Sequence, residues 1–368
     1  MATMSPQSHC RCWAEVDLDA LRHNVAAIRR RIGRARLLAV VKADAYGHGL
    51  APVARTLRQC DVDAFAVANL TEALALRQTV GPDPVILQFG APFPFEIDAM
   101  LAHNITPTIS SLDEAQRFEQ AANRRVAVHV EIDTGMGRCG FWHVEAATAL
   151  RQLAGFQHLQ IAGVYTHFPS ADENFTETRR QLADFVAVAH GYPLLHAANS
   201  AALLNLPEAT LDMVRPGLAL YGIVPGAADF SPALSFKARV ANVRTVVAGR
   251  TISYGQTFVA PATLRIATIA AGYADGFSRH LSHKAEVLIA GQRCQVVGRV
   301  TMDQIMVDVT GVPSVACGDE VVFIGRQGNA LIAADEVAGW AGTIAWEVLC
   351  NINQSARVPR FYGGIERT

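Results

Sequence analysis

Leu37-Leu38-Ala39-Val40-Val41-Lys42-Ala43-Asp44-Ala45-Tyr46-Gly47-His48-Gly49 delivers an apolar run to a single lysine, with a tyrosine four positions later in a glycine-containing turn. The run reads as a buried strand, Leu37–Lys42. Its carboxyl end is a rigid place to hold a lysine that forms a Schiff base. The turn beyond it suits contact with a phosphate or a carboxylate. A lysine at a strand end also fits an ordinary solvated terminus, so the meaning of the stretch depends on the rest of the chain.

Outward from this strand, short apolar runs alternate with helical spacing as far as Tyr221. Further strands are expected at Ala64–Ala68, Val85–Phe89, Ile105–Ile109, Val126–Ile132, Gln160–His167, Leu194–Asn199 and Val214–Leu220. Helices are expected at Leu50–Gln59, Thr71–Gln78, Asp113–Ala122 and Thr176–Ala189. Eight strands alternating with helices fit an α/β fold built as a (β/α)8 TIM-type barrel, and equally a large doubly wound sheet. The pattern changes near Pro232. Alternating runs at Phe236–Val247, Leu264–Ala271, Ala285–Ile289, Gln295–Val309 and Val321–Ile324 predict a C-terminal, mainly-β domain. Helices around Ala334–Trp340 and Ile344–Leu349 come next. The expected division is residues 1–232 and 233–368, with Trp13–Leu18 as an N-terminal strand that pairs with the β domain.

A chain of 368 residues is too long for one small core, in keeping with two domains. Apolar residues at 51% and charged residues at 18% indicate a well-buried globular protein. A formal net charge of -1 provides no field for nucleic acid or an anionic membrane. No stretch approaches the roughly 20 apolar residues of a membrane helix. The polar segment Met1–Cys12 has no apolar core of a secretory leader. Seven scattered cysteines show neither zinc spacing nor a disulfide framework. The expectation is a cytoplasmic protein without a metal.

In a parallel barrel, chemistry gathers at the carboxyl ends of the strands. Strand one ends at Lys42, with Tyr46 beyond it. Strand five ends in Glu131-Ile132-Asp133-Thr134-Gly135-Met136-Gly137-Arg138, strand six in Tyr165-Thr166-His167, and strand seven in Asn199-Ser200. Strand eight carries Arg215-Pro216-Gly217-Leu218. Each has an ordinary reading: Arg138 as a surface turn, His167 as a core histidine, Ser200 as a helix cap. Their gathering on one barrel face is what those readings leave unexplained. Phosphates often bind at the loops after strands seven and eight. There Ser200 offers a hydroxyl, and Gly217 and Leu218 offer backbone N–H groups. A Schiff-base lysine and a phosphate cup together are what pyridoxal 5'-phosphate needs. In the second domain, Gly272-Tyr273-Ala274-Asp275-Gly276 and Gly298-Arg299-Val300-Thr301-Met302-Asp303-Gln304 form another cluster, in which Tyr273 alone reads equally as a turn residue.

These segments, with Thr166-His167-Phe168, Val214-Arg215-Pro216-Gly217, Ser253-Tyr254-Gly255 and Arg357-Val358-Pro359-Arg360, resemble the alanine racemase family in order over nearly the whole chain. The resemblance implies a pyridoxal-phosphate barrel, a C-terminal β domain and a head-to-tail homodimer acting on a small amino acid. It implies Lys42 as the Schiff-base lysine and one acid/base group. Tyr273, donated by the partner's β domain, is implied as the other. His167 is implied to polarise Tyr273, with Arg215 behind it and facing the pyridine nitrogen. Tyr46, Asn199, Ser200, Gly217 and Leu218 are implied around the phosphate. Arg138 is implied at the cofactor's phenolic oxygen and at the substrate carboxylate, the Met302 N–H at that carboxylate, and Asp303 in support. Two departures stand out. Many relatives carry a carbamylated lysine at the position of Glu131, which here is already a carboxylate and is expected to pair with Arg138. Some relatives have a tyrosine where Ala356 stands, and its loss predicts a wider entrance that admits serine or larger amino acids. An amino-acid decarboxylase of the same fold and a non-catalytic pyridoxal-phosphate carrier are the alternatives. Tyr273 in its Gly-Tyr-Ala-Asp-Gly setting weighs against the first, and the residues after Pro232 against the second.

Overall fold

The computed structural model describes residues 6–60, 62–224 and 226–363. Residues 1–5 of the segment read for a leader, and 364–368 of the expected β domain, lie outside the described residues. Two compact units are present. One takes residues 22–45 and 50–220, and the other takes residues up to 21, 46–49 and those from 221 onward.

In the first unit the barrel strands are Arg36–Val40, Ala64–Val67, Val85–Gln88, Thr106–Ile109, Val126–Asp133, Leu159–Tyr165, Leu195–His196 and Met213–Val214. Each pairs in parallel with the next, and the eighth pairs with the first, so among the described residues eight strands close a barrel. Closure decides against the doubly wound sheet. Strand one is buried throughout after Arg36, as expected of a parallel strand covered on both faces. The helices start on caps that their sequences carry. Asn69, Ser111, Asn174 and Asn199 each accept a backbone N–H from three residues on.

Several strands end earlier than the apolar runs suggest. Strand one stops at Val40, so Lys42 lies beyond it. Strand six stops at Tyr165, leaving His167 in the following loop. Strand seven is only Leu195–His196, because Asn199 already caps the helix Ser200–Asn205. Strand eight is only Met213–Val214, since Pro216 offers no N–H and Leu218–Tyr221 winds into a 3-10 turn.

In the second unit Leu234–Val246, Leu264–Ile269, Ile305–Asp308, Gln292–Val297, Glu286–Ile289 and Glu320–Gln327 pair antiparallel in that order, and the last pairs back onto the first. The expected strand Gln295–Val309 is therefore two strands, separated where Gly298 takes φ 73°. Cys12–Asp17 adds antiparallel to Leu234–Val246 and parallel to Arg360–Gly363. Inside, the rings of Phe236 and Phe277 both pack on Phe323, at 4.9 and 4.8 Å between centroids. Among the described residues no helix is long and apolar enough to cross a membrane.

Candidate active site

Beyond strand one, Ala43, Asp44, Ala45 and Tyr46 have φ of 51°, 51°, 55° and 54°. Four consecutive non-glycine residues in the left-handed region cost about 1–2 kcal/mol each. Local bonds hold the turn. Ala45 N–H donates to the Val41 carbonyl at 2.9 Å. Leu50 N–H donates to Asp44 Oδ1 at 2.6 Å, and Ala43 N–H to Glu72 Oε1 at 2.7 Å. A hydrogen bond to a charged acceptor contributes about 1.5–3 kcal/mol, so the two carboxylates offset much of the strain. The turn ends on Tyr46, which is buried with its ring 5.1 Å from that of Tyr221.

Beneath the barrel mouth lies a continuous polar network. Arg215 is buried, and its guanidinium donates to the carbonyls of His196 at 2.7 Å, Thr166 at 2.6 Å and Ala197 at 3.1 Å. It also lies 5.0 Å over the Tyr165 ring. Burial pulls its pKa down to about 10, which still leaves it charged at neutral pH. Arg215 also donates to His196 Nδ1 at 3.1 Å. His196 therefore carries its proton on Nε2, which faces His129 Nδ1 at 2.8 Å. Both rings stay neutral. Burial and the charge of Arg215 lower His196, and burial, Arg215 and Arg36 bring His129 down to about 4. His167 Nδ1 lies 3.5 Å from Arg215. Burial, then the charges of Arg215, Arg138 and Lys42, pull His167 down to about 3, so its ring is a neutral acceptor.

The network continues toward Arg138. Tyr165 Oη donates to Glu131 Oε2 at 3.2 Å and sits 3.1 Å from Thr108 Oγ1. Glu131 Oε1 is 3.9 Å from the Arg138 guanidinium, while Arg138 N–H donates to Asp133 Oδ2 at 3.2 Å. Burial pushes the Glu131 carboxyl up to about 7, against the pull of Arg138 and Tyr165. At the other side of the mouth, Ser200 Oγ accepts the N–H of Gly217 at 3.0 Å and of Ala219 at 3.1 Å. The Ser200 hydroxyl thus ties the start of its helix to the loop after strand eight. Leu218 begins the 3-10 turn between those amides. Asn199 serves as the helix cap, with its amide nitrogen 3.4 Å from the Phe168 carbonyl.

In the second unit, Tyr273 is 43% exposed, on a turn held through the main chain. Tyr273 N–H donates to the Thr301 carbonyl and Ala274 N–H to that of Met302, both at 3.0 Å. A methyl group on Gly272 would lie 2.2 Å from the Thr301 carbonyl, so only glycine fits there. Asp275 accepts from Gly272 N–H at 2.8 Å and pairs with Arg357, which also pairs with Asp303. Met302 is half exposed beside this turn.

Sequence reasoning overlooked His129, His196, Thr108 and Glu72. For His129 a signal exists. In the strand Val126–Asp133 it stands two places before Glu131 and four before Asp133, so three polar groups share one face of an otherwise apolar strand.

The chain matches the family model of the alanine racemase N-terminal domain over residues 16–225 and that of the alanine racemase C-terminal domain over residues 233–362. It is 44% identical to an alanine racemase of Symbiobacterium thermophilum, covering 96% of this chain and 97% of that protein. Among solved structures, the alanine racemase from E. faecalis superposes with a TM-score of 0.90 at 32% identity, covering 96% of this chain and 99% of that one. The alanine racemase from Bacillus anthracis with bound L-Ala-P does so with a TM-score of 0.87 at 36% identity, covering 98% and 96%. Similarity of this extent, over both domains and at these identities, means that the chain belongs to the alanine racemase family of isomerases.

Proposed function

We propose that this chain is a pyridoxal-phosphate-dependent racemase that interconverts L- and D-alanine by two acid/base groups, in a cytoplasmic head-to-tail homodimer divided into domains near Pro232. The observation that carries the reading is the barrel mouth, where Lys42, Arg138, His167, Ser200 and Arg215 follow strands one, five, six, seven and eight. The donor set fits the cofactor. Ser200 Oγ gathers the amides of Gly217 and Ala219, and that loop with the start of the helix at Ser200 is where a phosphate monoester would be held, with Tyr46, Asn199 and Leu218 as its further proposed contacts. Arg215 has protons to give and none to accept, which suits an unprotonated ring nitrogen. When bound, pyridoxal phosphate supplies an electron sink that acidifies the α-hydrogen of an attached amino acid.

The chain's own groups do the rest. Lys42 Nζ takes or returns a proton on one face, and Oη of Tyr273 of the partner subunit does so on the other. His167 Nδ1 faces the Arg215 guanidinium at 3.5 Å, so the neutral ring carries its proton on Nε2, from which it can donate to that phenol oxygen and stabilise its deprotonated form. Arg138 and the Met302 N–H hold the substrate carboxylate. Asp303 and Asp275, through Arg357, brace the loop cluster that carries Tyr273. The test is chiral analysis of L-alanine and L-serine incubated with the protein and pyridoxal phosphate in heavy water. D-enantiomer carrying α-deuterium supports the reading. Release of carbon dioxide and amine would indicate a decarboxylase instead, and inertness with cofactor bound either a different amino-acid substrate or a carrier.

Glu131 makes the Arg138 contact pH-dependent. Acidification through about 7 neutralises Glu131 and releases its hold on Arg138. The KM for alanine is therefore expected to rise about threefold below that pH, the scale of a partly exposed pair. Glu131→Gln should show the raised KM at every pH without the inflection, and a flat profile in the unmodified protein contradicts this. The folded-state value lies above that of an ordinary carboxyl. This group therefore destabilises the fold progressively as pH rises from the carboxylate range to about 7, and by a constant amount beyond.

Ala356 is exposed in the turn where Val358 N–H returns to the Ser355 carbonyl at 3.1 Å. We expect Ala356→Tyr to lower serine turnover relative to alanine by on the order of tenfold. Unchanged serine-to-alanine ratios of kcat/KM would remove Ala356 from the account of specificity.

A further inference from the structure

Resting on the reading of Lys42 as the cofactor-bearing lysine, we infer that Glu72 is a positioning residue for it. Glu72 is the third residue of the helix Leu70–Val80, whose cap Asn69 accepts Glu72 N–H at 3.0 Å. A glutamate in this place ordinarily turns back onto the amide of the capping residue itself. Here it does not. Its Oε2 accepts Ala68 N–H at 2.9 Å, just past strand two. Its Oε1 accepts Ala43 N–H at 2.7 Å, in a segment 29 residues earlier in the chain. One carboxylate therefore ties together the carboxyl ends of strands one and two.

Ala43 is the residue bonded to Lys42, and its φ of 51° opens the left-handed turn. An alanine relaxes readily out of that conformation, and any relaxation rotates the peptide that joins it to Lys42. The bond from Glu72 removes this freedom by fixing the Ala43 N–H. Both oxygens of Glu72 accept, so the ionised form is the one that fits. A glutamine keeps the shape and the helix but accepts through one atom only, and sets its NH2 against the other N–H.

The experiment compares the full-length wild type with Glu72→Gln, Asn69→Ala and Glu72→Gln/Ala43→Gly. Asn69→Ala removes the cap of the helix that carries Glu72 without removing the bond to Ala43, and so reports a purely structural loss. Glycine at 43 adopts a positive φ without strain and should rescue. Three quantities are read: thermal midpoint, rate of pyridoxal phosphate attachment to Lys42 (trapped by borohydride and located by mass spectrometry), and kcat and KM against pH. Glu72→Gln is expected to slow attachment and lower kcat by roughly tenfold, the weight of one charge-assisted hydrogen bond, with KM little changed. Asn69→Ala should lower the midpoint alone, and Ala43→Gly should recover part of the loss in the double variant. Attachment and kcat equal in Glu72→Gln and Asn69→Ala, or no recovery with Ala43→Gly, would overturn the role of Glu72. A wild type that never attaches the cofactor at Lys42 would overturn the function proposed above as well, so the two failures differ.

Discussion

Replacing Lys42 with alanine is expected to lower kcat for alanine racemisation by about 10⁴-fold or more, the combined scale of a lost covalent anchor and a lost acid/base group. The same change should abolish borohydride-trappable attachment of pyridoxal phosphate. It should leave the barrel folded, because strand one ends at Val40 and the turn after it is held by Glu72, Asp44 and the Val41 carbonyl rather than by the lysine side chain alone. Cofactor retained without covalent attachment is the expected residual state, since Ser200, the amides of Gly217 and Ala219, and Arg215 are untouched. Chiral chromatography and mass spectrometry check both halves. Racemisation within tenfold of the unmodified protein would remove Lys42 from the chemistry.

Tyr273→Phe is expected to cost about 10²–10⁴-fold in kcat, the range of one general acid/base. Its turn is fixed by main-chain bonds to Thr301 and Met302 and by Asp275, so loss of the hydroxyl leaves the turn standing. The variant should separate the two faces. One enantiomer of alanine should keep exchanging its α-hydrogen with heavy water through Lys42, while the other becomes inert. Equal loss of exchange from both enantiomers would mean that Tyr273 does not serve one face alone.

The first six barrel strands are legible in the sequence because a parallel strand covered on both faces must be an almost continuous apolar run. Strands seven and eight are legible only as positions. Their apolar runs continue past His196 and Val214, but Asn199 and Pro216 redirect the backbone. In the second unit the run Gln295–Val309 hides a loop, whose sign is Gly298 at positive φ. The turn after Lys42 escaped for the opposite reason. Ala43, Asp44, Ala45 and Tyr46 carry no glycine, and the left-handed backbone is sustained by partners that pattern reading does not join to it. Glu72 is one such partner, with a sequence signature that belongs to its own helix. The residues at the barrel mouth could be read from their places at strand ends. The layer beneath them, His129 with His196 and Tyr165 with Thr108, depends on which strand faces which across the closed barrel, and no local pattern carries that.

Each active site, in the function proposed here, is completed by Lys42 of one subunit and Tyr273 of the partner subunit. Co-expression of Lys42→Ala with Tyr273→Phe probes that sharing without disturbing either fold. A mixed dimer of that kind holds one site lacking both groups and one site with both intact. Random assortment should restore about a quarter of wild-type racemase activity from two nearly inactive proteins. Activity no higher than that of either variant alone would contradict a site shared between subunits.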